Sequence, residues 1–364
     1  MNKKLFSIST ICGKYITLIN IENVLSQLST KYFDISVKGR SVNNQPLYTV
    51  HFGNGKERVI LWSHMHGNEP TTTKAVLDWL MYLQMDQDYF NHLCTHFTIC
   101  VLPMVNPDGA ELYTRNNAND VDLNRDSVSL SQPESVFLNE VIKEFSPTLA
   151  LNLHDQRSIF GAGDSGLPAS LSFLSPAYND EREVNDVRLK AMLLIGAIAK
   201  KLQAKLPGKI ARFDDSFNRN CIGDYVTSLG IPTILFEAGL VEHDYEREVS
   251  RGIILEALFH LFDLLITEEY LSFDKKNYWE LPENIKNFND IKIVDFSFAS
   301  PELIKNNAIF VQYVEKKQNN MVVFDYSLDF EQSPEAVYAH KILKANGLSF
   351  FSLLDIYNFL DENL

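Results

Sequence analysis

The chain has 364 residues, 45% of them hydrophobic and 12% aromatic, which is enough apolar surface for a large core. Its formal net charge is -14 and its pI about 5.1, so the surface repels phosphate backbones and anionic lipid, and neither nucleic acid nor a membrane surface is an expected partner. The four cysteines, Cys12, Cys94, Cys100 and Cys221, form no CxxC pair and read as free thiols in a reducing compartment.

In chain order, "MNKKLFSISTICGKYITLIN" has an apolar run interrupted by Ser7, Ser9, Thr10, Gly13 and Lys14, so it reads as mature protein rather than a secretory signal, and a cytoplasmic location is expected. No stretch of about 18 apolar residues occurs, so no transmembrane helix is expected. "IENVLSQL" carries a helical stripe. "LYTVHFG" and "RVILWSH" read as strands joined by a turn at Gly53–Gly55. "TTTKAVLDWLMYLQM" is helical and "HFTICVLPMVNP" a buried strand. "PESVFLNEVIKEF" is a helix with proline at its start, followed by the strand "PTLALNLHD". A long helix, "DVRLKAMLLIGAIAKKLQAKL", precedes the strand "GIPTILFEAG" and the helix "REVSRGIILEALFHLFDLLI". This alternation predicts an α/β domain over 1–270 with a mostly parallel sheet. From 271 to 364, "IKIVDFSF", "NAIFVQYV" and "MVVFDYSL" alternate between polar turns, predicting a small strand-rich module that ends in the helix "LLDIYNFLDE".

Ligands of open α/β sheets bind beyond the carboxyl ends of the strands. There the sequence places His64, His66 and Glu69 after "RVILW", "VNPDG" after "ICVLPM", His154 after "LALNL", and Glu237 after "PTILF". His66, Glu69 and His154 make a His₂Glu set, and three protein ligands with one position left open define a catalytic zinc site. Zinc in such a site polarises a carbonyl and lowers the pKa of water to about 7. Glu237 has the chemistry of a general base. His64 is a rival ligand to His66; His66 is preferred because Gly67 adjoins it and Glu69 is within reach. A pair of surface or capping histidines is the plain alternative.

"YTRNNANDVDLNRD" holds Arg115, Asn124 and Arg125, and an arginine fork binds carboxylate or stabilises an oxyanion. Surface ion pairing with Asp120, Asp122 and Asp126 is the alternative. "GAGDSG" matches G-x-G-x-x-G and reads as a loop rather than a nucleotide site. Cys221 reads as a buried thiol, with no base beside it to make it a nucleophile.

"HGNE", "NPDG", "DLNR", the strand end "LH" and "FEAG", in this order from Arg58 to Gly239, resemble the zinc carboxypeptidase family of metallopeptidases. The resemblance implies a carboxypeptidase-like mixed sheet flanked by helices. It implies one Zn²⁺ per chain on His66, Glu69 and His154, Glu237 as general base, and Asn124 and Arg125 as the anchor of a terminal carboxylate. Arg115 looks like the arginine that polarises the scissile carbonyl. Asp122 looks like the carboxylate that orients the first histidine ligand. Asn68 stands where digestive carboxypeptidases have arginine, and "HGNE" and "DLNR" look closer to the aspartoacylase and succinylglutamate desuccinylase branch. No residue matches the family's substrate-capping tyrosine; "ARFDDSFNRNC" offers Arg212, Phe217 and Asn218 in that region. The expected activity is zinc-dependent hydrolysis of an amide next to a free carboxylate, on a peptide or an N-acyl amino acid. A non-catalytic binding protein on the same scaffold and a zinc esterase are the alternatives. The oligomeric state is left open.

Overall fold

A computed structural model describes residues 6–298, 308–328 and 338–364. The strands are β1 (Asp34–Arg40), β2 (Pro46–Gly53), β3 (Glu57–Ser63), β4 (Phe97–Leu102), β5 (Leu149–Asp155), β6 (Phe160–Ala162), β7 (Leu171–Leu174), β8 (Ile210–Arg212), β9 (Thr233–Ala238), β10 (Asn284–Lys286), β11 (Phe288–Phe298), β12 (Ile309–Gln318), β13 (Met321–Leu328) and β14 (Tyr338–Phe350). The helices are α1 (Leu18–Leu25), α2 (Thr71–Met85), α3 (Gln87–His96), α4 (Pro107–Leu112), α5 (Pro133–Phe145), α6 (Asp186–Leu202), α7 (Ile222–Ser228), α8 (Glu248–Thr267), α9 (Lys275–Trp279) and α10 (Leu353–Asn363).

Eight strands form one mixed sheet in the order β1-β2-β4-β3-β5-β9-β7-β8. Its centre, β4-β3-β5-β9, is parallel, as the alternating pattern predicts. The apolar runs serve two cores at once. Along β3, Val59 and Leu61 enter the core under α2, α6 and α8, while Ile60 and Trp62 enter the core under α5 and α7. A strand buried on both faces needs this unbroken apolarity. Among the described residues, no helix is long and apolar enough to cross a membrane.

The C-terminal strands form a second sheet, β13-β12-β11-β14, antiparallel except for the parallel pair β11–β14. Its own core buries Ile291, Ile293, Ile309 and Val311 against Ile356, Phe359 and Leu360 of α10. The long strand β14 and the short pair β6–β10 carry no clear alternating signal; they form because a neighbouring edge is available. The sheet is tied to the α/β domain at several points. Glu315 accepts from Lys14 and Tyr113, the Lys317 ammonium donates to the Glu111 carbonyl at 2.6 Å, and the Tyr245 hydroxyl donates to Asp290 at 2.8 Å.

The helix pair α2 and α8 is locked by Asp78 and Arg251, which form a buried two-pronged ion pair at 2.5 and 2.6 Å. The same groups hold the N-terminal segment: Asp78 accepts from the Ile8 amide at 2.8 Å, and Arg251 donates to the Ile11 carbonyl at 2.6 Å.

Candidate metal centre and active site

At the end of β3 the chain turns sharply. His64 takes a left-handed backbone with φ of 53°, which stops the strand. The turn is clamped by backbone: the Val105 amide donates to Ser63 at 3.1 Å and the Asn106 amide to His64 at 3.0 Å. His64 is fully buried, and its Nε2 donates to the Gly67 carbonyl at 3.1 Å. Burial pulls its pKa down to about 4, so it is neutral and serves to hold the turn. His64 lies outside the cluster that follows, in keeping with the preference for His66.

The turn sends His66 and Glu69 towards His154 at the end of β5. His66 Nδ1 lies 2.8 Å from Glu69 Oε1, His154 Nδ1 lies 2.9 Å from Glu69 Oε2, and the two Nδ1 atoms are 3.2 Å apart. One donor atom from each residue lies within 4.8 Å of the others. Bonds of 2.0–2.1 Å to a tetrahedral zinc would separate ligand atoms by about 3.3 Å, close to these spacings. Two imidazole nitrogens and a carboxylate are also the donor types zinc prefers, so the residues fit the metal. Burial alone would lower the pKa of His66, but Glu69 and Asp122 lift it above the ordinary histidine value. Burial would likewise raise Glu69, yet the two histidines hold it well below the carboxylate range.

Around this cluster stand the other expected residues. Asp122 Oδ1 lies 3.1 Å from His66 Nε2, on the far side of the ring from the cluster. Its Oδ2 takes the Arg115 fork at 3.0 and 3.1 Å. Arg115 Nη1 is in turn 3.2 Å from His66 Nδ1 and 3.5 Å from Glu69. Glu237 is the register partner of His154 across β5 and β9, so both side chains leave the same face of the sheet. Burial first, then Glu69 and Asp155, push the Glu237 carboxyl well above its ordinary value. Asn124 Oδ1 accepts from the Ile222 amide at 3.2 Å at the start of α7. Arg125 is exposed and donates to the Asn124 carbonyl at 2.7 Å, with the Cys221 sulfur at 3.5 Å.

Residues 21–157 match the zinc carboxypeptidase family. That span holds four of the five motifs that carry the resemblance; "FEAG" lies beyond it. Two fungal relatives share the name: Probable carboxypeptidase 2 of Arthroderma benhamiae is 29% identical over 175 residues, 48% of this chain and 32% of its own length. Carboxypeptidase 2 of Trichophyton tonsurans is 24% identical over 310 residues, 77% of this chain and 53% of that protein. The chain thus spans about half the length, or less, of these relatives. Among solved structures, a metallo-carboxypeptidase from Burkholderia cenocepacia aligns with a TM-score of 0.55 at 15% identity, covering 70% of each chain. The carboxypeptidase A of Helicoverpa armigera gives 0.54 at 17%, covering 70% and 73%. These structures share the carboxypeptidase fold with this chain. The curated relatives carry carboxypeptidase names; nothing among them singles out the aspartoacylase branch.

Several residues that shape this candidate site have no role legible in the sequence. "NPDG" is a brace. Asn106 caps α4 by accepting from the Gly109 amide at 2.8 Å, and its own amide reaches the Met65 carbonyl at 3.2 Å. Asp108 accepts from the Ser41 hydroxyl at 2.8 Å and the Asn43 amide at 2.9 Å. An asparagine followed by proline at a helix start is a capping signal visible in sequence; what it braces is not. Asp155, next to His154, accepts from the Thr71 and Thr72 amides at 2.8 and 3.2 Å and so seats α2 under the site. Arg212 and Asn218, offered in place of the capping tyrosine, are committed elsewhere. Arg212 pairs with Glu283 at 2.7 Å, and Asn218 holds its own loop by accepting from the Asn220 amide at 3.1 Å. "GAGDSG" leads from β6 into β7, so no helix N-terminus follows it and it remains a loop. Cys221 is half-buried, and burial raises its thiol pKa, as for a packing thiol.

Gly67 is required by contact. A Cβ there would lie 1.9 Å from the Gly109 carbonyl carbon, which is backbone and has nowhere to go. Gly67→Ala is expected to cost about 1–3 kcal/mol and to weaken metal retention, because the turn carrying His66 and Glu69 must shift. Urea unfolding and metal analysis of the variant check this; unchanged values for both would contradict the close approach.

Proposed function

We propose that the chain is a zinc-dependent hydrolase that cleaves an amide bond next to a free carboxylate, as in a peptide C-terminus or an N-acyl amino acid. The observation that carries the reading is the convergence of His66, Glu69 and His154, with Glu237 opposite His154 on the adjoining strand. His66 Nδ1, His154 Nδ1 and the Glu69 carboxylate would hold the metal. Zinc supplies Lewis acidity when bound, polarising a carbonyl and lowering the pKa of water.

The chain's own residues then have distinct tasks. Glu237 takes a proton from the attacking water and passes it to the leaving amine nitrogen. A carboxyl whose pKa is raised by burial and by Glu69 and Asp155 is a stronger base than an ordinary one. Arg115 presents its guanidinium beside the cluster, where it stabilises negative charge developing on the carbonyl oxygen. Asp122 fixes the orientation of both His66 and Arg115. Asn124 and Arg125 bind the substrate carboxylate, with the guanidinium N–H groups that remain outside the Asn124 and Cys221 contacts.

Elemental mass spectrometry of wild type and His66→Ala tests the metal site. About one zinc per chain is expected in wild type, and its loss in the variant. Absence of metal from both after zinc is supplied would overturn the reading. Zinc retained without turnover on any peptide, N-acyl amino acid or ester would favour a binding protein on the same scaffold.

A further inference from the structure

Beside Glu69 a cleft of about 280 Å³ opens between the α/β domain and the C-terminal sheet. The strand β12 contributes Tyr313, Val314 and Glu315 to its lining, and the α/β domain contributes Lys14, Asp155, Arg157 and Arg247 among others. The wall is fixed, since Glu315 is bonded to Lys14 and Tyr113.

The lining carries three cations, Lys14, Arg157 and Arg247, and three carboxylates, Glu69, Asp155 and Glu315; with Glu69 committed to a metal, one positive charge is in excess. Lys14 and Glu315 neutralise each other. Glu69 belongs to the metal cluster, and Asp155, which accepts from two helix amides, also feels the charge of Arg247. Arg157 is left, and Arg247 has only the longer-range attraction of Asp155 and Glu315. Arg157 is exposed and makes no hydrogen bond or ion pair among the described residues. Arg247 is only 3% exposed and has no carboxylate partner among them. Its guanidinium donates to the Ala238 and Gln156 carbonyls at 3.3 and 3.1 Å, and its Nε has no hydrogen-bond partner. Asp155 and Glu315 lower the cost of burying this guanidinium without forming an ion pair with it, so it has donors free for a further anion.

Glu69 belongs both to the metal cluster and to this cleft, whereas Asn124 and Arg125 line none of it. A substrate with its carboxylate at Asn124 and Arg125 and its scissile carbonyl at the cluster has this cleft for its other half. We propose that the cleft receives the residue on the amino side of the scissile bond and prefers an acidic side chain there; the proposal rests on the hydrolase reading above. The volume, below the roughly 300–1,000 Å³ of drug-sized pockets, suits one residue rather than a long peptide.

The test compares acetyl-Glu-Xaa with acetyl-Gln-Xaa dipeptides, which differ in charge and little in shape. Binding is measured by calorimetry on zinc-loaded Glu237→Gln protein, and cleavage on zinc-loaded wild type. The glutamate peptides are expected to bind about tenfold tighter or more, and Arg157→Gln, an exposed position, to cut that ratio to about threefold or less. Equal binding of the two peptides, or a ratio that both Arg157→Gln and Arg247→Lys leave unchanged, overturns the acid preference. Cleavage of the glutamine peptides as fast as the glutamate ones also overturns it and leaves the hydrolase reading intact. Failure of zinc-loaded wild type to cleave any peptide or N-acyl amino acid overturns the hydrolase reading, and the binding ratio then reports on the cleft alone.

Discussion

Glu237→Gln is expected to lower kcat/KM by about 10²–10⁴-fold on any substrate the wild type hydrolyses, the range that a positioned general base contributes. The exchange keeps size and shape and removes only the proton-accepting oxygen. Glu237 accepts no hydrogen bond from the described residues and forms no ion pair with them, so the fold does not depend on its charge. It is also not one of the three residues that converge as candidate ligands. Zinc content should therefore stay at the wild-type value while turnover collapses. The neutral amide also escapes the cost of burying a charge, and the repulsion from Glu69 and Asp155, that raise the Glu237 carboxyl, so any change in stability near neutral pH should be a small gain. Full activity in the variant would remove Glu237 from the mechanism; loss of zinc would mean that it holds the metal centre instead.

Asp78→Ala is expected to cost about 3–5 kcal/mol of stability, read as a fall in the urea midpoint. Arg251 is 2% exposed, and the substitution leaves its guanidinium with Glu248 as its ion-pair partner. The alanine also strips the Ile8 amide of its acceptor and loosens the contact of α2 with α8. The cost belongs to the buried guanidinium losing its two-pronged partner, with only the half-exposed Glu248 left, and not to the pair as such. Asp78→Leu combined with Arg251→Met should therefore recover much of the loss. A cost under about 1 kcal/mol for Asp78→Ala, or a double variant no better than the single, would show that the pair contributes little. Asp78 and Arg251 share no hydrogen bond or ion pair with His66, Glu69 or His154, so zinc binding should survive wherever the protein remains folded.

Much of the candidate site is legible in the sequence. The strand-end placement of His66, Glu69, His154 and Glu237 follows from apolar runs that stop where polar residues begin. That pattern is local, and a parallel sheet converts it into spatial proximity. The α/β alternation and the strand-rich C-terminal sheet are legible for the same reason. Three features are not. The buried pair Asp78–Arg251 reads in sequence as two ordinary surface charges on helices. β14 and the β6–β10 pair carry weak strand signals and depend on a neighbour's open edge. Arg247 looks like any surface arginine, yet it is buried beside the candidate site.

By itself the sequence determined which chemical groups are available and in what order: two imidazoles and a carboxylate of the kinds that suit a metal and a further carboxylate at the strand ends, and arginines in the loop between α4 and α5. Tertiary structure alone decided how they meet. His66 and His154 are 88 residues apart in the chain and their nitrogens are 3.2 Å apart in space. Gly67 must be glycine because the backbone of Gly109 lies against it. The C-terminal sheet reaches the site because Glu315 docks on Lys14 and Tyr113, partners 301 and 202 residues away in sequence. Periodicity and capping are properties of a few adjacent residues; such contacts are settled by the packing of the whole chain, and no local pattern encodes them.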